Sequence, residues 1–415
     1  MRVHYSLYGR LLSKSLLHEA YKQVARRKGA AGIDGQSLRD FAQDVEGNLN
    51  RLLLELQGKR YQAQPVRRVE IPKDDGGVRL LGIPCVRDRI VQQALMMLLQ
   101  PIFEEDFHPS SYGYRPRRSC HDAINKATVF MRDYGRCWVV DMDLSKCFDT
   151  LNHDLIIQGV RKRITDGSVL ALIRQFLQSG VMVGDGLEAT LSGSPQGGVI
   201  SPLLANIYLD AFDQEMERRG HRIVRYADDI LILCTSKAGA ENALNIAVHY
   251  LEKTLKLTVN TTKTHIVHSD DGVKFLGVEI GSRYTFIQTK KVKAFKQRVK
   301  QLTRRNTGKP LLEIIKQLNP VLRGFENYFK IANCKRVLKD LSAWIRRRLR
   351  AIQLTLYKKP SRLHRRLRQF GITGKLTFIK MNSWRNSNCP MATMAMRNSW
   401  FEEIGLYDLP SCFTR

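Results

Sequence analysis

The 415 residues, 43% of them hydrophobic, are enough for two or three domains around a sizeable core, and they carry a formal net charge of +29 at pH 7. The charge is uneven: residues 291–415 hold 29 Lys and Arg against 6 Asp and Glu, while residues 1–290 hold 39 against 33. So basic a surface calls for a polyanionic partner, nucleic acid before an anionic membrane; no apolar run approaches transmembrane length and no signal peptide opens the chain, so a cytosolic protein without membrane contact is expected.

Residues 1 to about 70 read as helices with Ser-, Lys- and Arg-rich surfaces, interrupted by the Gly-rich loop 29–35. Lys73-Asp74-Asp75-Gly76-Gly77-Val78-Arg79 reads as a charged hairpin, followed by Leu81-Gly82-Ile83-Pro84 and a helical run over Arg87–Gln100. Tyr112-Gly113-Tyr114-Arg115-Pro116 comes next. Trp138–Leu144 then alternates with period two. Trp138, Val140, Met142 and Leu144 fall on one face, and Val139, Asp141 and Asp143 on the other. Alternation gives Asp141 and Asp143 the same direction and does not choose between them.

Gly193-Ser194-Pro195-Gln196-Gly197-Gly198 leads into Ser201-Pro202-Leu203-Leu204-Ala205-Asn206. Tyr226-Ala227-Asp228-Asp229 lies between Ile223-Val224 and Ile230-Leu231-Ile232-Leu233, a pattern of strand, tight turn and strand with two carboxylates at the tip. Carboxylate oxygens are hard ligands suited to Mg²⁺. Joined to the carboxylates of the upstream strand, the pair suggests a two-metal phosphoryl-transfer site, in which the ions clamp the attacking and leaving oxygens. Asn260, Lys263 and Phe275-Leu276-Gly277 follow, and Ile280–Lys291 reads as the exit from this domain.

In the basic third, Leu338, Leu341, Ile345, Leu349, Ile352 and Leu356 form one apolar stripe of an amphipathic helix. Arg346, Arg347, Arg348 and Arg350 lie beside and opposite it, and Trp344, Tyr357, Arg362, Arg365, Arg366 and Arg368 extend the surface. Like charges crowded on one helix repel unless an anion faces them, and arginine planes with aromatics suit RNA. Cys85, Cys120, Cys137, Cys147, Cys234, Cys334, Cys389 and Cys412 form no CxxC pair and read as reduced thiols; His265 and His268 lack further nearby ligands for zinc.

Taken together and in this order, these stretches resemble a bacterial group II intron reverse transcriptase/maturase, most like the compact class C type. The resemblance covers almost the whole chain. It implies an α+β right-hand polymerase with helical fingers, a mixed-sheet palm with an RRM-like core, and a helical thumb or maturase domain. The implied boundaries are 1–135 for the extension and fingers with the first palm segments, 136–290 for the palm, 291–365 for the thumb, and 366–415 for a small basic DNA-binding segment. It further implies an RNA-directed DNA polymerase that binds its intron RNA, assists splicing and supports mobility by target-primed reverse transcription. Asp143, Asp228 and Asp229 would hold two Mg²⁺, with Mn²⁺ able to substitute. Lys73 and Arg79 would hold the triphosphate of a deoxynucleotide, Gln196 would contact the nucleotide, Lys263 would lie near it, and Phe148 would exclude a 2′-hydroxyl. Arg115, Arg346, Arg347, Arg348, Arg350, Arg362, Arg365 and Arg366 would meet nucleic acid: intron RNA, an RNA template, and DNA primer or target. A bacterial cytoplasmic, nucleoid-associated protein is implied. Two departures stand out: Leu80 takes a place where the family usually has Pro, and Ser194 one where Thr is common. No Cys/His array follows the last helix, so no endonuclease module is expected. Two other readings remain: a splicing cofactor with a vestigial polymerase, which degenerate carboxylates would favour, and a reverse transcriptase recruited to repair or defence.

Overall fold

The computed structural model describes residues 2–72, 77–183, 186–188, 192–193 and 197–409. The chain divides into two compact units, Met1–Ser269 and Asp270–Arg415.

The first unit is built on two sheets. In one, β1 (Val66–Pro72) and β2 (Val78–Ile83) form an antiparallel hairpin, β4 (Val181–Val183) joins β1 in parallel, and β5 (Gly186–Glu188) closes the order β2-β1-β4-β5. The other sheet has the order β6-β7-β3-β8, from β3 (Trp138–Met142), β6 (Arg222–Tyr226), β7 (Asp229–Cys234) and β8 (His265–His268). All three of its pairings are antiparallel. Val140, Met142, Ile230 and Ile232 belong to the main core, while Val139, Leu231 and Leu233 on the opposite face are buried as well. The alternation read from Trp138–Leu144 therefore describes a strand covered on both sides. Its second face opens only near the end, at Asp141 and Asp143, both half-exposed.

Around the sheets pack helices whose starts are set by local chemistry. Ser119 and Asp122 make a capping box for Cys120–Arg132. Asp166 caps Gly167–Gln178 and also accepts from the N–H groups of Leu7 and Tyr8, both at 2.8 Å, which fixes the amino-terminal segment. The helix Val86–Glu104 is buried nearly all round in its first half and so runs through the core rather than over it.

The second unit begins at Asp270. Its sheet, β11-β10-β9, consists of β9 (Val273–Phe275), β10 (Val278–Ile280) and β11 (Thr285–Ile287). The Phe275-Leu276-Gly277 motif is its first turn: Phe275 pairs with Val278, and Leu276 and Gly277 have φ of +46° and +85°, the pattern of a type I′ hairpin. The helices Thr289–Leu302, Leu311–Phe329, Lys335–Tyr357 and Pro360–Gln369 follow. Leu338, Leu341, Ile345, Leu349 and Ile352 are buried as the stripe predicts, but Leu354 is buried where Leu356 is only half so.

Candidate active site and nucleic-acid surface

Tyr226 pairs with Asp229 across the β6–β7 hairpin, so Ala227 and Asp228 form a two-residue loop at the sheet's end. Ala227 has φ +59°, a left-handed conformation that costs a residue with a Cβ about 1 kcal/mol or more. Neighbouring groups hold it there. The Arg225 side chain is wholly buried; its Nε and Nη2 donate to the Asp213 carboxylate at 2.5–2.9 Å, and its Nη1 donates to Asn206 Oδ1 at 3.1 Å and to the Ala227 carbonyl at 3.0 Å. Asn206 Nδ2 donates to the Gly113 carbonyl at 2.9 Å, and Tyr112 N–H donates to the Arg225 carbonyl at 2.9 Å. The Tyr112-Gly113-Tyr114 segment is thereby laid along β6. A Cβ on Gly113 would stand 2.3 Å from the backbone nitrogen of Ala227, which cannot move without moving the turn. Gly113→Ala is expected to cost about 1–3 kcal/mol of stability by this overpacking, read as a lowered urea midpoint. An unchanged midpoint would mean that the turn is not clamped there.

Asp143 stands one residue beyond the Met142–Ile230 pair, at the same end of the sheet as Asp229. Its Oδ2 accepts from Asn260 Nδ2 at 3.0 Å and lies 3.5 Å from Lys263 Nζ. The three carboxylates feel one another. Asp229, reached by solvent yet closely surrounded by protein, has its pKa pushed up to about 7, first by partial burial, then by the charges of Asp228, Asp143 and Asp141, with Lys263 opposing. Asp228 is raised mainly by burial and also by Asp143, while Arg79 and Arg225 pull it down. Asp141 is pushed up to about 6, mainly by burial, with His265 opposing. As placed, Asp143 turns toward Asn260 and Lys263, and among the described residues no three His, Cys, Asp or Glu side chains converge closely enough to hold a cation. The donor chemistry nevertheless fits one: hard carboxylate oxygens in mutual repulsion at one sheet end suit a doubly charged, oxygen-seeking ion.

Two further side chains frame this end. Phe148, half-buried in the short helix Cys147–Thr150, meets the exposed Tyr114 edge-on, ring centres 6.2 Å apart at 81°. Arg79, exposed on β2, is close enough to Asp228 and Tyr114 for its charge to lower both pKa values against burial. Lys73 and Gln196 lie outside the described residues. The described residues nearest to Gln196 on either side, Gly193 and Gly197, pack closely on other parts of the unit. Gly193 (φ +88°) has room for no Cβ against the Asp149 backbone, 2.6 Å away, and its N–H donates to the Leu151 carbonyl at 2.8 Å. Gly197 (φ +114°) packs as tightly on the Gly82 carbonyl, 2.4 Å from a would-be Cβ, and Val199 N–H donates to Gln92 Oε1 at 2.8 Å. Gly193 is thus tied to the Phe148 helix, and Gly197 to the strand that carries Arg79.

The arginines expected on nucleic acid divide. Arg115 is corrected to a buried structural residue, 6% exposed, which grips Glu104 and donates to the carbonyls of His108 and Ser111 at 2.8 and 2.9 Å. Arg350, also 6% exposed, is corrected likewise: it donates to the Met396 carbonyl and to Asn398 Oδ1. Arg346 turns to Ser342 and Asp408, Arg348 to the hydroxyl and carbonyl of Thr303, and Arg366 to the Ala395 carbonyl while lying over Trp400. For Arg346, Arg350 and Arg366 the physical reason is that residues between 395 and 408 fold back onto the helix Lys335–Tyr357 and its successor, covering faces that a helical pattern leaves open; Arg348 is held instead from the end of Thr289–Leu302. Arg362 and Arg365 remain exposed, and Arg347 lies over the Trp384 ring.

Arg225, Asp213, Asn206 and Tyr114 carry the site's architecture and were not among the residues expected to matter. Only Asn206 and Tyr114 lay in motifs, and neither had a role assigned.

The family of reverse transcriptases (RNA-dependent DNA polymerases) matches residues 71–280, and the group II intron maturase-specific domain matches residues 292–371. Protein YkfC of Escherichia coli K12 is 39% identical over 300 residues, 63% of this chain and 79% of that protein. The putative COX1/OXI3 intron 2 protein of Saccharomyces cerevisiae is 30% identical over 319 residues, 63% of this chain and 37% of that protein. The group II intron-encoded protein LtrA of Lactococcus lactis subsp. cremoris is 29% identical over 347 residues, 67% of this chain and 57% of that protein. The chain thus spans most of YkfC but little more than half, or less, of the other two. With carboxylates at the end of its central sheet, a matching polymerase region and a maturase-specific domain after it, the chain belongs to the reverse transcriptase family as a group II intron-type member.

Proposed function

We propose that this chain copies RNA into DNA at the β3 and β6–β7 end of the first unit, and that it binds a group II intron RNA to assist its splicing and its insertion into DNA by target-primed reverse transcription. The observation that carries the polymerase reading is the electrostatic crowding of Asp143, Asp228 and Asp229 at one sheet end. These three would hold two Mg²⁺, or Mn²⁺ in their place; when bound, such ions neutralise phosphate charge and activate the primer 3′-hydroxyl for in-line attack on the α-phosphate of a deoxynucleotide. Arg79, with Lys73, binds the triphosphate through charge-assisted hydrogen bonds. Gln196 contacts the nucleotide. Lys263, which neutralises Asp143 here, sits at the nucleotide's edge. No helix among the described residues is long and apolar enough to cross a membrane, and the proposed partners are polynucleotides in the cytoplasm and at the nucleoid.

Phe148 sets sugar selectivity. Its ring meets Tyr114 edge-on, and a ring held beside the incoming sugar would leave no room for a 2′-hydroxyl. Phe148→Ala is expected to raise incorporation of ribonucleotides relative to deoxynucleotides on the order of tenfold to a hundredfold, the scale set by opening or closing a small steric pocket. Single-nucleotide kcat/KM ratios measure it, and an unchanged ratio removes Phe148 from the role.

The whole reading is tested by primer extension on an RNA template with a DNA primer, deoxynucleotides and Mg²⁺. DNA product that disappears on chelation supports it. No product, with tight and salt-sensitive RNA binding retained, would replace it with a splicing cofactor whose polymerase is vestigial.

A further inference from the structure

The second unit gathers cations where its sequence pattern did not point. Past the end of the helix Thr289–Leu302, Arg304 and Arg305 are exposed. The guanidinium carbons of Arg347, Arg348 and Arg305 lie 5.0, 5.6 and 5.8 Å from the centre of the Trp384 ring. Guanidiniums are held by the negative face of an indole, but they repel one another. Among the described residues, Lys309 pairs with Glu313 and Arg346 with Asp408. Arg348 is occupied with Thr303, whereas Arg347 Nε is buried with no hydrogen-bond partner. Beside them is an open hollow of about 510 Å³ lined by Arg304, Arg305, Asn306, Thr355 and Asn382.

None of these lining residues is a carboxylate. Two guanidiniums, two amides and a hydroxyl present donors to a multivalent oxyanion, and the planar forks of arginine match phosphate oxygens. We propose that the hollow is a polynucleotide site that seats a backbone phosphodiester on Arg304 and Arg305, with Trp384 and Arg347 as its fixed wall. The assignment rests on the polymerase and maturase reading above, and it moves the nucleic-acid contact from the arginines of Lys335–Tyr357, most of which are occupied internally, to the loop at 304–306 and the turn at 382–384.

The test uses the full chain and fluorescence anisotropy over a series of KCl concentrations, with a labelled RNA hairpin carrying single-stranded flanks and, in parallel, a DNA duplex of equal length. Arg304→Gln/Arg305→Gln should weaken binding on the order of tenfold and lower the slope of log K against log salt by about 1.4 on single strands or 1.8 on duplex. Arg336→Gln/Lys339→Gln, an equal loss of exposed charge elsewhere in the unit, should do less. Asn382→Asp, which adds a negative charge while every guanidinium stays, should weaken binding at unchanged melting temperature. A loss confined to the RNA arm or to the DNA arm tells which backbone is seated. Equal effects of the two double variants, or no effect of either Arg304→Gln/Arg305→Gln or Asn382→Asp, would overturn the site. Wild-type protein that binds neither probe would overturn the nucleic-acid reading itself, a failure separable from that of the hollow.

Discussion

In primer extension on an RNA template, the Asp228→Ala/Asp229→Ala protein should make no detectable DNA, a loss on the order of 10⁴-fold or more, or about 5 kcal/mol at 1.36 kcal/mol per tenfold. The size follows from the proposed chemistry: with little covalent work for the protein to do, positioning and charge neutralisation supply most of the rate, and in the proposed site both would pass through these oxygens. RNA affinity should stay within about twofold, because removing two negative charges does not weaken attraction to a polyanion. Stability should move in the unfamiliar direction. Asp228 and Asp229 are raised in pKa by burial and by neighbouring carboxylates, so as anions they strain the cation-free site. In the presence of a chelator the double variant should therefore melt no lower than wild type, and Mg²⁺ should raise the melting temperature of wild type alone. Lost RNA binding, or a collapsed melting temperature, would mean that the carboxylates serve the fold rather than the reaction.

The sequence made this end of the molecule legible because hairpins and buried strands obey local rules. Ile223-Val224 and Ile230–Leu233 could only be strands, and the four residues between them had to turn. That Asp143 lies at the same sheet end as the turn depends on the order β6-β7-β3-β8, which no local pattern carries; the pairing of Met142 with Ile230 accounts for it. The arginines were misread for a different reason. Periodicity identifies the first face of a helix to be buried, not a second one. Leu338, Leu341, Ile345, Leu349 and Ile352 define the first face of Lys335–Tyr357, and Arg350 on another face is covered by Met396, Asn398 and Phe401, which arrive from some 45 residues later. Arg115 is similar: within Tyr112–Pro116 it looks like a loop arginine, and only the turn after Val86–Glu104 brings Glu104 and the carbonyls of His108 and Ser111 to enclose it.

The second large effect lies at Arg225. Arg225 and Asp213 are both wholly buried and joined by three donor–acceptor contacts of 2.5–2.9 Å. Removing one partner of such a pair strands the other charge without water, so Arg225→Met should lose about 3–5 kcal/mol of stability in urea denaturation. Removing both charges should not: Arg225→Met with Asp213→Leu replaces the pair by apolar volume and should recover most of that loss. Activity should not return with it. The fourth nitrogen contact of Arg225, from Nη1 to the Ala227 carbonyl at 3.0 Å, is what holds the turn before Asp228, and Nη1 also orients Asn206, which in turn holds Gly113 against that turn. An apolar pair restores the packing but none of these hydrogen bonds. Geometry lost at a two-residue loop displaces the reacting carboxylates directly, and misplacement of about 1 Å costs on the order of a hundredfold in rate. The double variant should therefore be folded and stable, bind template-primer with an unchanged Kd, and show kcat reduced on the order of a hundredfold. Arg225→Lys, which keeps the charge but not the fork, should fall between the two in both measures. Wild-type kcat in the stable double variant would show that the buried pair only fills the core, and would leave the left-handed turn at Ala227 to be held by Gly113 and the strands alone.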